Sequence, residues 1–431
     1  MAKHTLPVFW AGLAALFLPL GLVACGGVGS VAKTPVAATT AGAKPLLVLT
    51  DSQVNAQGLE AFQVEAFQQG RERWAIPLPT SGDALAAADG VIYVGAGETI
   101  YALDAQSGHQ RWQASVGPQV RSIHVIEARV YVDTGGGFSG QERIDVFSLM
   151  GHLLWQYTPP ALQDIPAWLV DQGVFYTVEG DGGVSATLVA RDAATGAARW
   201  RAPLQIDSLP QMLLPAGPDA LLVVTQDALL MAERNAGGLL WQRQDTQAVG
   251  ASITAGTLYA FFVDQPAALG EAAPVFLRAL RVSDGRLLWQ QPLAPNDAGF
   301  LSSGQPLSVG VITPQAAYLA DSPDFTALHA WRLSDGTQRW RKTVVGGVVG
   351  LLADGQRVYL ASSQQFVALQ ADTGQVIWRA ANPDGLTALR EEAGVLLGVN
   401  PQTFVLAGYD LASGQRVWRL TPVTLDAYLE T

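Results

Sequence analysis

Cys25 is the only cysteine of the 431-residue chain, and it closes an uncharged, mostly apolar stretch from Leu6 to Ala24. A lone thiol has no partner for a disulfide, so Cys25 needs another role. The five histidines are His4, His109, His124, His152 and His329, and none falls into a metal-ligand spacing. The chain contains no Gly-x-Ser-x-Gly elbow, no phosphate-binding Gly-Lys loop and no Cys-x-x-Cys-His haem site. Ser30-x-x-Lys33 has the spacing of an acylating serine-lysine pair, but it lies in a low-complexity stretch without supporting motifs. Acidic residues such as Asp104 and Asp192 are spread one per repeat, so they read as turn caps rather than a catalytic pair. No catalytic residue, metal site or cofactor is expected from these patterns.

The elements around Cys25 explain its position. Lys3, the apolar run and Leu22-Val23-Ala24 form a charged start, an apolar core and small residues before a cut site, the pattern of a secretory leader. A membrane-spanning helix would need about 20 apolar residues; this run is shorter and holds Pro19. Leu22-Val23-Ala24-Cys25 resembles a bacterial lipobox. That resemblance implies cleavage before Cys25 and acylation of its thiol, with Gly26 rather than Asp after it pointing to the outer membrane. Residues 1–24 are then a signal peptide and 25–45, rich in Gly, Ala, Val and Thr, a flexible tether. The expected protein is anchored to the membrane without crossing it.

Composition narrows the class. The chain carries 26 basic and 37 acidic residues, a net charge of −11, with no basic block. Such a chain is a poor nucleic-acid ligand. Hydrophobic residues make up 49 % and charged residues 15 %, which describes a packed globular protein.

From residue 46 onward the chain repeats. Nine of the 12 tryptophans have Gly four residues earlier: Trp74, Trp112, Trp155, Trp200, Trp241, Trp289, Trp340, Trp378 and Trp418. They stand 38 to 51 residues apart, the size of a four-stranded propeller blade. Around Trp112 the unit reads Val91-Ile92-Tyr93-Val94 as a strand, Thr99 to Leu103 as the next, Asp104 to Gly108 as a turn and Gln110 onward as the last strand. No helical period appears. Ala102-x-Asp104-x-x-Ser107-Gly108-x-x-x-Trp112 and Ala190-x-Asp192-x-x-Thr195-Gly196-x-x-x-Trp200 resemble the pyrroloquinoline-quinone-type propeller repeat at every marked position. The tryptophans are followed by Gln, Arg or Ala, which excludes WD repeats. The expected fold is all-β: a single propeller of four-stranded blades over 46–431. Nine repeat units can be counted, eight blades is the family's usual number, and eight is favoured. Thr421 to Leu429 could supply a closing strand. The resemblance makes the tryptophans structural, so Trp200→Ala should cost roughly 3–5 kcal/mol.

A meander alternates its turns between two faces. The Gly-x-x-x-Trp turn never varies in length, while insertions fall at 133–143, 179–186, 265–274, 294–305 and 321–326, all on the opposite face. Variable loops on a rigid scaffold are where binding concentrates. Phe138, Leu269, Phe300, Leu301 and Phe325 are apolar residues there and are the candidate partner contacts. Quinoprotein dehydrogenases share the repeat, but that family covers its quinone with a disulfide-bonded cysteine pair, and this chain has one cysteine. Leader, lipobox, tether and propeller together resemble the BamB family of the outer-membrane β-barrel assembly machinery. The resemblance implies a non-enzymatic, periplasm-facing lipoprotein scaffold for envelope proteins. The alternatives are an envelope propeller that binds a small molecule or polymer, and a quinone-dependent enzyme.

Overall fold

The computed structural model describes residues 46–54, 60–68, 70–117, 119–135, 142–160, 164–180, 185–208, 210–244, 246–264, 274–293, 310–320, 325–392, 394–400, 402–403 and 405–420. Every regular element among them is a β-strand, and the 35 strands form nine antiparallel sheets in strict chain order. Sheet 1 has three strands, β1 (Leu46–Val54), β2 (Glu60–Gln68) and β3 (Arg71–Leu78). The other eight have four each: β4–β7 (82–115), β8–β11 (120–157), β12–β15 (164–205), β16–β19 (210–244), β20–β23 (246–292), β24–β27 (310–343), β28–β31 (348–381) and β32–β35 (388–420). Eight is therefore the number of complete sheets, and the favoured count of eight blades gives way to nine sheets. Residues 421–429, expected as a closing strand, lie outside the described residues.

The three-stranded sheet takes a place in the ring. Its Trp74 packs on Gly108 of sheet 2, and its Gly70 faces Trp418 of sheet 9, where an added Cβ would come within 2.7 Å of the Trp418 Cβ. Sheet 1 thus stands between sheets 9 and 2. The same grammar runs round the molecule. Gly151 lies on Trp112, Gly196 on Trp155, Gly237 on Trp200, Gly285 on Trp241, Gly336 on Trp289, Gly374 on Trp340 and Gly414 on Trp378. Seven of these indoles also donate a hydrogen bond to a backbone carbonyl in the next sheet's turn, for example Trp74 to Ala105 at 3.0 Å, Trp155 to Ala193 at 3.0 Å and Trp378 to Leu411 at 2.9 Å. The indole therefore couples neighbouring sheets through both packing and a hydrogen bond.

Strand sequences account for where the core lies. Second strands such as Val91–Ala96, Val174–Gly180 and Ala220–Thr225 are buried throughout, because both of their faces meet other sheets. The outermost, tryptophan-bearing strands are mostly exposed: Arg71–Leu78 is buried at Trp74 and Leu78 and largely exposed between them, as an outer edge requires. The buried side chains form one cluster at each seam from sheets 1 and 2 to sheets 8 and 9. A second aromatic belongs to the repeat. Tyr93, Tyr176, Tyr259, Tyr318 and Tyr359 each lie 5.9–6.2 Å from the tryptophan of their own sheet.

The turns before the tryptophans are closed as their composition suggests. The Asp104 carboxylate accepts from the backbone N–H of Gln106 and Ser107 and from the Ser107 hydroxyl, and Asp192 does the same with Ala194 and Thr195. Arg111 at 2.7 Å from Asp104, and Arg199 at 2.7 Å from Asp192, hold both acids down at about 2, helped by the Ser107 and Thr195 hydroxyls.

Candidate functional site

Consecutive antiparallel strands put the first-to-second and third-to-fourth turns on one face and the other two connection types on the opposite face. The insertions expected from the sequence fall on that second face. They join β9 (Arg129–Thr134) to β10 (Arg143–Ser148), β13 (Val174–Gly180) to β14 (Ser185–Asp192), β21 to β22, β23 to β24 and β25 to β26. Phe138, Leu269, Phe300 and Leu301 lie outside the described residues, as does Cys25. Phe325 is half-buried rather than projecting. It packs on the cluster between sheets 7 and 8, and its carbonyl accepts a hydrogen bond from Val348 at 2.8 Å. His109 and His152 are exposed beside their turns.

The seam between sheets 3 and 4 is polar at its loop-face end. Three acids are buried there, Glu179 at 0 %, Asp133 at 6 % and Glu142 at 8 % exposure. Their positions follow from strand register. Asp133 is the penultimate residue of β9 and pairs with Ile144, which fills the same seam. Glu142 immediately precedes β10, and its carboxylate accepts from the backbone N–H of Ile165 in β12 (Asp164–Asp171), at 2.5 Å. It also pairs with Arg121 of β8 (Val120–Ile126). One side chain thus ties the second-to-third connection of sheet 3 to the first strand of sheet 4.

On the other wall Glu179 is the penultimate residue of β13. Its carboxylate accepts from Thr177 at 2.8 Å, from Arg191 of β14 at 3.0 Å and from Arg201 of β15 (Ala198–Gln205) at 2.7 Å. The Arg191 guanidinium lies 3.6 Å from the centre of the Tyr157 ring, across the seam in sheet 3. Removing an ionised carboxylate from water costs several kcal/mol, and two guanidinium groups with a hydroxyl offset that cost for Glu179.

Asp133 lacks such compensation. No described residue hydrogen-bonds to its carboxyl. Burial pushes it up to about 7, with Arg121 opposing and Glu142 adding to the rise. Burial also lowers His124, edge-on to Trp168 at 5.0 Å in the same seam, to about 4. The Ser122 hydroxyl and the Trp168 indole N–H are buried there with no partner among the described residues. On the opposite wall of sheet 3, burial raises Asp145 to about 6 although Arg143 pairs with it at 2.6 Å. These groups offer proton binding and ion pairing. No group of three or more His, Cys, Asp or Glu able to hold a metal occurs among the described residues, and no helix there is long and apolar enough to cross a membrane.

A third surface is the outer rim. Leu153 and Leu154, Leu239 and Leu240, and Leu287 and Leu288 immediately precede the tryptophans of sheets 3, 5 and 6, and all six are exposed.

Comparison with known proteins follows this geometry. The family model of the outer membrane protein assembly factor BamB matches residues 60–166, 140–304 and 276–424, nearly the whole repeat region. The chain belongs to the BamB family. A search of curated proteins finds no match. Among solved structures, a eukaryotic initiation factor aligns with TM-score 0.59 at 9 % identity, covering 90 % of this chain and 97 % of that one, a likeness of fold alone. BamB from Moraxella catarrhalis aligns with TM-score 0.41 at 16 % identity, over 85 % of this chain and 95 % of its own. Quinohemoprotein alcohol dehydrogenase from Comamonas testosteroni gives TM-score 0.45 at 14 % identity, over 78 % and 73 %.

Proposed function

We propose that this BamB-family chain is a non-enzymatic scaffold that binds protein partners during outer-membrane protein assembly. The observation that carries the reading is the BamB family match across residues 60–424, in three overlapping stretches. The geometry agrees with it: a rigid ring of sheets holds variable connections on one face, an arrangement suited to binding. The scaffold is held at the periplasmic face of the outer membrane by acylation of Cys25 through the 25–45 tether, and its partners include the β-barrel assembly machinery. Phe138, Leu269, Phe300, Leu301 and the half-buried Phe325 mark the loops that contact them. Deleting the gene tests the reading. Outer-membrane β-barrel proteins should fall in abundance and recover with the full chain, and unchanged levels would oppose it. A second reading, a small-molecule or polymer binder, is favoured by the unpartnered polar groups of the seam between sheets 3 and 4.

A further inference from the structure

We propose that the loop-face end of the seam between sheets 3 and 4 is a seat for a cationic side chain, lysine or arginine, of a protein partner, with Asp133 as its counter-ion. This inference rests on the protein-binding reading and specifies the chemistry of one contact.

Three observations carry it. Asp133 is 94 % buried by the complement of its 6 % exposure, yet no described residue hydrogen-bonds to its carboxyl. Ser122 stands directly opposite Asp133 in the β8–β9 ladder, so the two side chains share a side, and the Ser122 hydroxyl is also buried and unpartnered. A carboxyl and a hydroxyl side by side suit a donor with several N–H groups, which an ammonium or guanidinium supplies.

The neighbouring guanidinium groups already pair with other acids. Arg121 is committed to Glu142, and Arg191 and Arg201 are committed to Glu179. Of the groups facing Asp133, Arg121 draws its proton affinity down and Glu142 pushes it up, while burial outweighs both. Leaving a buried carboxyl unpaired costs stability that an apolar residue would not. Asp133 also sits one residue before the end of β9, beside the second-to-third connection, where a partner reaching the variable face would arrive.

Proton and cation then compete. With its carboxyl at about 7, Asp133 is protonated in mild acid, and an entering cation displaces that proton. Affinity for a permanently charged probe should rise about 30-fold between pH 5.5 and pH 8, the ratio of ionised fractions for a group titrating near 7.

The test titrates isotope-labelled full chain with the peptide acetyl-Ala-Arg-Ala-amide, following the Asp133 carboxyl carbon and the Trp168 indole N–H by NMR. Saturable shifts at both groups are expected at pH 8, weakened about 30-fold at pH 5.5, with the citrulline peptide inert. Asp133→Asn should abolish the pH dependence, and Ser122→Ala should weaken binding at both pH values. Equal binding of the citrulline peptide, no saturable shift in a folded chain, or an unchanged pH profile in Asp133→Asn would overturn the seat. Putrescine binding as tightly as the peptide would assign it to free cations and overturn the protein-partner assignment. A chain that binds the peptide but leaves β-barrel proteins unaffected on deletion keeps the seat and loses the assembly role; the reverse result keeps the role and loses the seat.

Discussion

Two glycines of sheet 4 separate backbone strain from packing between sheets. Gly173 and Gly196 have nearly the same left-handed backbone, with φ of +71° and +72°. Alanine at either position adopts a conformation that L-residues resist, costing roughly 1–2 kcal/mol. Their surroundings differ. A Cβ on Gly173 meets nothing within 4 Å, whereas one on Gly196 comes within 2.8 Å of Trp155 Cδ2, 2.9 Å of Cε3 and 3.0 Å of Cγ. Trp155 cannot easily yield, because it is 8 % exposed, its indole is bonded to Ala193, and its ring lies 5.5 Å from Phe175. Overpacking such a site costs about 1–3 kcal/mol. Gly196→Ala should therefore lose about 2–5 kcal/mol and Gly173→Ala only about 1–2. Urea denaturation followed by tryptophan fluorescence measures both. Equal losses in the two variants would refute the claim that the Gly-x-x-x-Trp turn is fixed by close approach between sheets.

Further outcomes follow from other residues. Trp155→Ala should cost about 3–5 kcal/mol, and Trp200→Ala less, because Trp200 is half-buried and its indole makes none of the seven carbonyl bonds; denaturation ranking Trp200 as the costlier loss would contradict this. Asp133 rises from 3.8 to about 7 on folding, so its contribution is full below about 4 and is lost as pH climbs through 7. Asp133→Asn should gain on the parent chain between pH 5 and pH 8, by roughly 2–3 kcal/mol, and parallel denaturation curves across that range would exclude the effect. Cys25→Ala should move the protein from the membrane to the soluble envelope fraction, and unchanged fractionation would favour an uncleaved helix.

Much of the architecture was legible because its grammar is local. Gly-x-x-x-Trp spans one turn and one strand start, Asp104 and Ser107 cap a turn within four residues, and Tyr93 lies in an alternating strand beside them. Strand order and loop faces then follow from a simple meander. The ninth sheet is legible as the ninth repeat unit, while the expectation of eight blades rests on the family's usual number alone. The polar seam was not legible. Glu179 and Arg191 are 12 residues apart, and Tyr157 belongs to another sheet; only the ring brings them together. A local signal did exist: Glu179 is the penultimate residue of a strand, Val174–Gly180, that is otherwise apolar but for Thr177. A charge in so buried a run announces a partner elsewhere in the fold, without naming it.

The assembly role is tested most directly by affinity capture of the full chain from detergent-solubilised envelopes of its own host, with abundance measured by quantitative mass spectrometry. The account predicts enrichment of the outer-membrane β-barrel insertase over a capture control bearing an unrelated lipoprotein. Folded bait recovered in quantity with no insertase above that control would contradict it.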